Sequence, residues 1–349
     1  MAATADALPG VSYVMPVLNE ARYIETAINT VLSQDYAGQK ELILALGPST
    51  DRTDAIVERL AAADRRITTV HNPATDIPVG LNLAIRASAF PIIVRVDAHS
   101  ELEAGYTSRA IETLARTEAA NVGGIMHARG KTPFQSAAAR GYNSRFGLGG
   151  ARYHGSGEEG PAESAYLGVF RREVLEEVGY FDESIRRGED WELNLRIRAA
   201  GHTVWFDPAL TVTYWPRENW TKLARQFAAT GTWRGELVRR YGGKNPWRFF
   251  VPPLLVVNVL VSVVLVVLQV SGVVSGWPSA LASVVYLGPA AYLLLIVWLA
   301  FVADRGAKML DRWFFVVVLP TMHLSWGVGF IVGVLRGARD TVDTSRTEI

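Results

Sequence analysis

The chain has 349 residues, no cysteine, 49% hydrophobic residues and a formal net charge of +1. Without cysteine there is no disulfide framework, thiolate zinc site, iron–sulfur cluster or thiol nucleophile. The near-zero charge argues against a nucleic-acid binder, yet it averages unlike regions: net −6 over residues 1–214, +6 over 215–248 and +1 over 249–349.

In chain order, short β-rich runs alternate with helical patterns. Val11–Val17 reads as a buried strand, and Glu20–Gln34 as a helix with apolar positions at Ile24, Ala27, Ile28, Val31 and Leu32. Glu41–Leu46 is a second strand, and Ser49–Asp54 caps a helix that reaches Ala63. Ile67–Val70, Val79–Ala87 and Pro91–Val96 follow as strand, helix and strand. This order predicts an α/β domain with a parallel, doubly wound sheet, and such sheets bind ligands beyond the carboxyl ends of their strands. The polar residues at those ends are Asn19 and Glu20, Asp51, and Asp97 and His99. Asp97-Ala98-His99 sets a carboxylate and an imidazole at alternate positions after a strand. Such a pair can hold part of a divalent cation's shell and leave positions for phosphate oxygens, although taken alone the pair is a weak signal and a strand-end Asp more often caps the next turn. Neither a P-loop nor a G-x-G-x-x-G first turn is present. Further on, Gly188–Arg196 opens a helix with three acids. The helix dipole favours carboxylates there, and the same acids could serve as a general base and a partner.

Residues 215–248 hold eight Lys/Arg and two Glu among aromatics such as Trp215, Trp220, Phe227, Trp233 and Trp247. This predicts an interfacial segment over 215–250, acting as a topology anchor or as a grip on an anionic lipid-linked substrate. Arg225 and Arg234 are half a turn out of phase on a straight helix, but Gly231 and Gly235 can break the helix between them and let both reach one headgroup site. No charge falls between Arg248 and Asp304 or between Arg312 and Arg336. Spans are predicted near 251–274, 280–302 and 313–335, followed by a polar tail, 336–349. The basic link Asp304–Arg312 places itself and the soluble part in the cytoplasm. Met1–Gly10 lacks the basic and apolar regions of a signal peptide, which agrees with that sidedness. One conflict stands: three crossings put Arg336 and Arg339 outside. Pro320 and His323 make the third span the weakest, and it could be re-entrant or interfacial.

Pro16-Val17-Leu18-Asn19-Glu20, Ser49-Thr50-Asp51-Arg52-Thr53, Asp97-Ala98-His99 and Gly188-Glu189-Asp190-Trp191-Glu192 stand in one order and spacing. In these the chain resembles family 2 glycosyltransferases with the GT-A fold. Arg95-Val96-Asp97-Ala98-His99, Tyr180-Phe181-Asp182-Glu183, Tyr214-Trp215-Pro216-Arg217, Leu223–Phe227 and Gly231–Arg234 resemble the ExoA-like branch of succinoglycan biosynthesis. The resemblance covers roughly residues 10–245 plus the membrane tail. It implies a GT-A catalytic domain over 1–214, interfacial helices and a bundle of about three transmembrane helices. Pro16, Asn19, Glu20, Asp51, Asn82 and Asp97 would bind the nucleotide-sugar donor. Asp97 and His99 would hold Mg²⁺ or Mn²⁺. Asp190 would be the base, with Glu189, Trp191, Arg225, Gln226, Trp233 and Arg234 on the acceptor side.

Two departures accompany the resemblance. Leu46 stands where relatives carry an Asp that helps read the base, and Gly80-Leu81-Asn82 replaces Ala-Arg-Asn, removing a cation. The expected activity is inverting, metal-dependent transfer to a polyprenyl-(di)phosphate-linked glycan in cell-envelope or exopolysaccharide synthesis. The chain would be a multi-pass protein of a bacterial-type inner membrane, in contact with membrane lipids and not nucleic acid, with oligomerisation open. The alternatives are a polyprenyl-phosphate sugar synthase and, in another class, a catalytically silent membrane scaffold.

Overall fold

The computed structural model describes residues 8–148, 157–242, 245–304, 306–339 and 341. Lys244, Arg305 and the tail from residue 342, which entered the charge reading, lie outside the described residues. The chain forms two compact units: Met1–Arg129 with Gly150–Trp215, and Gly130–Gly149 with Pro216–Glu348.

The first unit runs β1 (Val11–Val17), α1 (Ile24–Leu32), β2 (Lys40–Leu46), α2 (Thr53–Ala63), β3 (Ile67–His71), α3 (Ile77–Ala87), β4 (Ile92–Arg95), β5 (Ser100–Leu102), α4 (Tyr106–Thr117) and β6 (Asn121–Ala128). In the second unit comes α5 (Pro133–Asn143). The first then resumes with β7 (Gly160–Pro161), β8 (Tyr166–Arg171), α6 (Arg172–Val178), α7 (Glu189–Ala199) and β9 (Val204–Tyr214). The strands form one sheet in the order β3-β2-β1-β4-β8-β6-β9-β5, with β7 beside β9. The four strands read from the sequence are parallel, as expected. Beyond β4 the sheet is mixed: β8 is antiparallel to β4 and β6, β9 is parallel to β6, and β5 is antiparallel to β9. Apolar runs fix which residues are strands but not the direction of their partners.

Alternation along β1 sends Val11, Tyr13, Met15 and Val17 to one face and Val14 to the other. The first face packs Ile24, Ile28 and Val31 of α1, Val57 of α2, and Ala110 and Leu114 of α4. The second packs Leu81 and Ile85 of α3, Leu175 of α6, and Leu193 and Ile197 of α7. With both faces covered, the strand ends are left for ligands.

The second unit contains α5, α8 (Trp220–Tyr241), α9 (Val251–Val270), α10 (Gly276–Ala282), α11 (Leu287–Trp298) and α12 (Met309–Arg336). Three stretches, Trp247–Val270, Gly276–Ala303 and Met309–Arg336, are long and apolar enough to cross a membrane. α8 is one continuous helix, so Gly231 and Gly235 do not break it, contrary to expectation. They serve close packing instead. A Cβ on Gly231 would overlap the Trp326 carbonyl, and one on Gly235 the Phe330 carbonyl. In return, Gly329 and Gly333 of α12 face the carbonyls of Ala228 and Thr232. Small-xxx-small pairs on both helices let the backbones meet. With α8 continuous, Arg225 and Arg234 stay on different faces.

Candidate active site

The loops after β1 and β2 are clasped together. Asn19 adopts a left-handed conformation (φ 54°), and its Oδ1 accepts from the Thr50 N–H at 2.7 Å. Asp51 accepts from the N–H groups of Ala21 (3.1 Å) and Thr53 (2.9 Å) and from the Thr53 hydroxyl. Burial raises the Asp51 pKa, but these hydrogen bonds outweigh it and hold the carboxyl below its ordinary value. Asn19 and Asp51 therefore organise the loops of the expected donor pocket. Pro16, in β1, lies against α3 at Gly80. Asn82 is buried, and its amide is committed to the backbone of Phe181 and to Glu183, at 2.9–3.0 Å. That ties α3 to the loop leading toward α7, so an effect of Asn82 on a donor would be indirect. Leu46 packs against the core.

The chemistry gathers around a residue to which sequence reasoning gave no role. Arg95, at the end of β4, has a side chain only 4% exposed. Its guanidinium donates to Asp97 at 3.2 Å, to Glu189 at 3.0 Å and to Asp190. Burial works against the Arg95 charge, but the three carboxylates more than offset it, and it stays protonated. The available signal was the spacing: Arg95 and Asp97 are two apart, hence on one side of an extended segment. Gly188, at φ 79°, turns the chain into α7 so that Glu189 and Asp190 form its first turn. The side chain of Asp190 is 29% exposed, against 8% for Glu189. Burial, reinforced by Glu189 and Asp97 and opposed by Arg95, pushes the Asp190 pKa up to about 7. Glu192, a further acid of this turn, is taken by Arg196 at 2.7 and 2.8 Å. Trp191 is buried.

His99 does not join that cluster in the contacts described. It is buried, with Nδ1 3.2 Å from Glu20 Oε1 and its ring edge-on to Tyr214. A carboxylate beside one ring nitrogen is how a ligating imidazole is commonly oriented, with the other nitrogen left to the metal. Among the described residues, no group of three or more His, Asp or Glu could hold a metal unaided. Asp97 and His99 alone would supply two ligands, so a cation held by them would need diphosphate oxygens to complete its shell.

The acceptor-side residues of α8 divide. Arg225 is exposed. Gln226 is buried and accepts from the Tyr142 hydroxyl at 3.2 Å. Trp233 is 2% exposed, and its ring N–H donates to the Thr341 carbonyl at 3.2 Å, so it belongs to the packing of the second unit. Arg234 stacks over Phe249 at 4.1 Å.

Comparison with known proteins accords with this picture. The Glycosyl transferase family 2 profile matches residues 12–179. Succinoglycan biosynthesis protein ExoA of Rhizobium meliloti (strain 1021) is 30% identical over 320 residues, 91% of this chain and 92% of that protein. The dolichyl N-acetyl-alpha-D-glucosaminyl phosphate 3-beta-D-2,3-diacetamido-2,3-dideoxy-beta-D-glucuronosyltransferase of Methanococcus voltae is 23% identical over 248 residues, 68% of this chain and 77% of that protein. Mannosyltransferase PcManGT from Pyrobaculum calidifontis, solved with GDP-Man and Mn²⁺, superposes with a TM-score of 0.62 at 19% identity, over 94% of this chain and 87% of that one. That likeness shows the GT-A fold. With the family's strand-end motifs at the carboxyl edge of such a sheet, and an ExoA relative matched along nine-tenths of both chains, the chain belongs to glycosyl transferase family 2.

Proposed function

We propose that the chain is a membrane-anchored, inverting, metal-dependent glycosyltransferase of the cytoplasmic face. It would move a sugar from a nucleotide sugar to a hydroxyl of a polyprenyl-(di)phosphate-linked glycan, in cell-envelope or exopolysaccharide synthesis. The observation that carries this reading is the Arg95 clasp, which ties the donor-side Asp97 to Asp190 on the first turn of α7. The names of the relatives support it: one is a succinoglycan biosynthesis protein, one acts on a dolichyl-phosphate-linked sugar, and the structural neighbour holds GDP-Man.

Asp190 takes the proton of the acceptor hydroxyl as that oxygen attacks the anomeric carbon. The new C–O bond forms on the face opposite the leaving diphosphate, and the electron pair of the broken bond departs with the nucleoside diphosphate. A carboxylate raised toward neutrality is a better base than an ordinary one, and a substantial fraction of it is ionised near pH 7. Arg95 and Glu189 hold it in place. Asp97 and His99 would hold a divalent cation, which supplies charge neutralisation for the leaving diphosphate.

The test is Asp190→Asn, nearly isosteric and unable to accept the proton. Transfer should fall by roughly 10²–10⁴ while donor binding persists. Near-normal turnover would remove Asp190 as the base. If the lipid phosphate itself were the nucleophile, it would need little base and the loss would be small.

A further inference from the structure

α12 is 28 residues long and apolar enough to cross a membrane, and its neighbours bear on whether it does. α9 and the α10–α11 stretch form a hairpin with its tip at 271–276. Polar groups rivet the hairpin: Asn258 donates to the Val285 carbonyl at 3.3 Å, and Gln269 donates to Ser279 and Ser283 and accepts from Tyr286 at 2.6 Å. α12 meets this hairpin near its open end. Gly327 lies against Pro252 and Val256, Trp326 against Phe249, Phe330 against Phe250, and Trp313 against Phe301.

From Thr321 onward α12 runs parallel to α8. The contacts climb together from Trp220–Thr321 (2.7 Å) through Gly231–Trp326 and Gly235–Phe330 to Arg239–Gly337. Helices paired in this way share one depth. α8 carries Lys222, Arg225, Arg234, Glu236, Arg239 and Arg240, charges that are costly at a bilayer centre. The N-terminal half of α12 packs on α5, where Arg140 lies over Phe315, donates to the Leu299 and Ala300 carbonyls and pairs with Asp304 at 3.1 Å. The exposed large apolar residues of α12 keep to one side: Leu310, Trp313, Val317, Val328, Val332 and Leu335 fall within an arc of about 100°, which Met309 and Val334 widen to about 160°.

We propose that α12 lies in the plane of the membrane, with this stripe in the leaflet on the side from which α9 departs, and that the chain crosses the bilayer only through the α9–α11 hairpin. Two crossings return the chain to its starting side. Arg336 and Arg339 then lie with the basic 304–312 link, and the charge conflict of a three-span topology disappears. The inference needs neither donor nor acceptor, so it stands or falls apart from the transferase reading.

The cysteine-free chain gives a blank background for single-cysteine labelling. Three forms are compared in spheroplasts and inverted vesicles with a membrane-impermeant maleimide: Ser275→Cys at the hairpin tip, Glu58→Cys on α2, and a cysteine appended after Ile349. Labelling in detergent confirms that each thiol is reactive. The expected result is that Ser275→Cys labels in spheroplasts, while Glu58→Cys and the appended cysteine label in inverted vesicles. Labelling of the appended cysteine from the same side as Ser275→Cys would show that α12 crosses and overturn the proposal. So would labelling of Ser275→Cys from the same side as Glu58→Cys.

Discussion

Replacing Arg95 by Gln leaves Asp97, Glu189 and Asp190 without the cation they share. Breaking a buried ion pair by removing one partner costs about 3–5 kcal/mol. Here the side chains of Asp97 and Asp190 are 17% and 29% exposed, so water relieves part of the repulsion. The low end, about 3 kcal/mol at pH 8, is therefore expected. For a unit of this size that lowers the melting temperature by roughly 6–12 °C. The pH dependence carries the diagnosis. Without the guanidinium the Asp190 pKa, already raised by burial, rises further above its unfolded value, so the native state binds more protons than the unfolded state through that window. Stability then falls as pH rises through it and recovers as pH is lowered toward 5. Thermal unfolding of the detergent-solubilised protein at pH 5, 6.5 and 8 measures this, with Arg95→Lys, which keeps the charge but not the fork, expected between the two. An equal deficit at pH 5 and pH 8 would mean that Arg95 only fills space, and the electrostatic account of the site would be wrong.

Excess EDTA should abolish transfer, with recovery on adding Mn²⁺ or Mg²⁺. Asp97→Ala should not recover and His99→Asp should do so in part, whereas full turnover in EDTA would exclude the cation. Gly333→Leu should destabilise the second unit by about 1–3 kcal/mol, because its side chain meets the Thr232 carbonyl; unaltered melting in detergent would show that α8 and α12 do not touch there. Asp207 is raised by burial, but bonds from Arg109, Thr113 and the Ala209 N–H more than offset that and hold it below its ordinary value. Its stabilisation is present above the unfolded carboxylate pKa of about 3.9 and is lost as pH falls through the lower native value. Asp207→Asn should cost about 1–3 kcal/mol at pH 7, and the gap should narrow below pH 4; a pH-independent gap would point to packing alone.

The sequence determined the parallel half of the sheet and the candidate polar residues at its edge. Local periodicity specifies each strand and helix from Val11 to Arg95, and the polar residues follow directly after the strands, where the backbone must leave the sheet. Asp97 was legible as a candidate on that basis and Asp190 from the acids that open its helix, and the uncharged runs gave three apolar helices by bilayer length alone. Tertiary structure decided the rest. Arg95 reads locally as one more charged residue, and only the approach of α7, 94 and 95 positions further on, makes it the hub of three carboxylates. Asn82 was assigned to the donor, but its amide meets Phe181 and Glu183 because α3 packs beside that loop. The glycines of α8 looked like breakers, yet within a hydrogen-bonded helix a missing Cβ leaves a groove, and α12 supplies the backbone that fills it. α5, set between strands of the catalytic sheet in sequence, belongs to the second unit because Gly141 and Phe134 find Met322 and Phe314 there. In each case the deciding contact spans tens to hundreds of residues, a distance over which periodicity and capping carry no information.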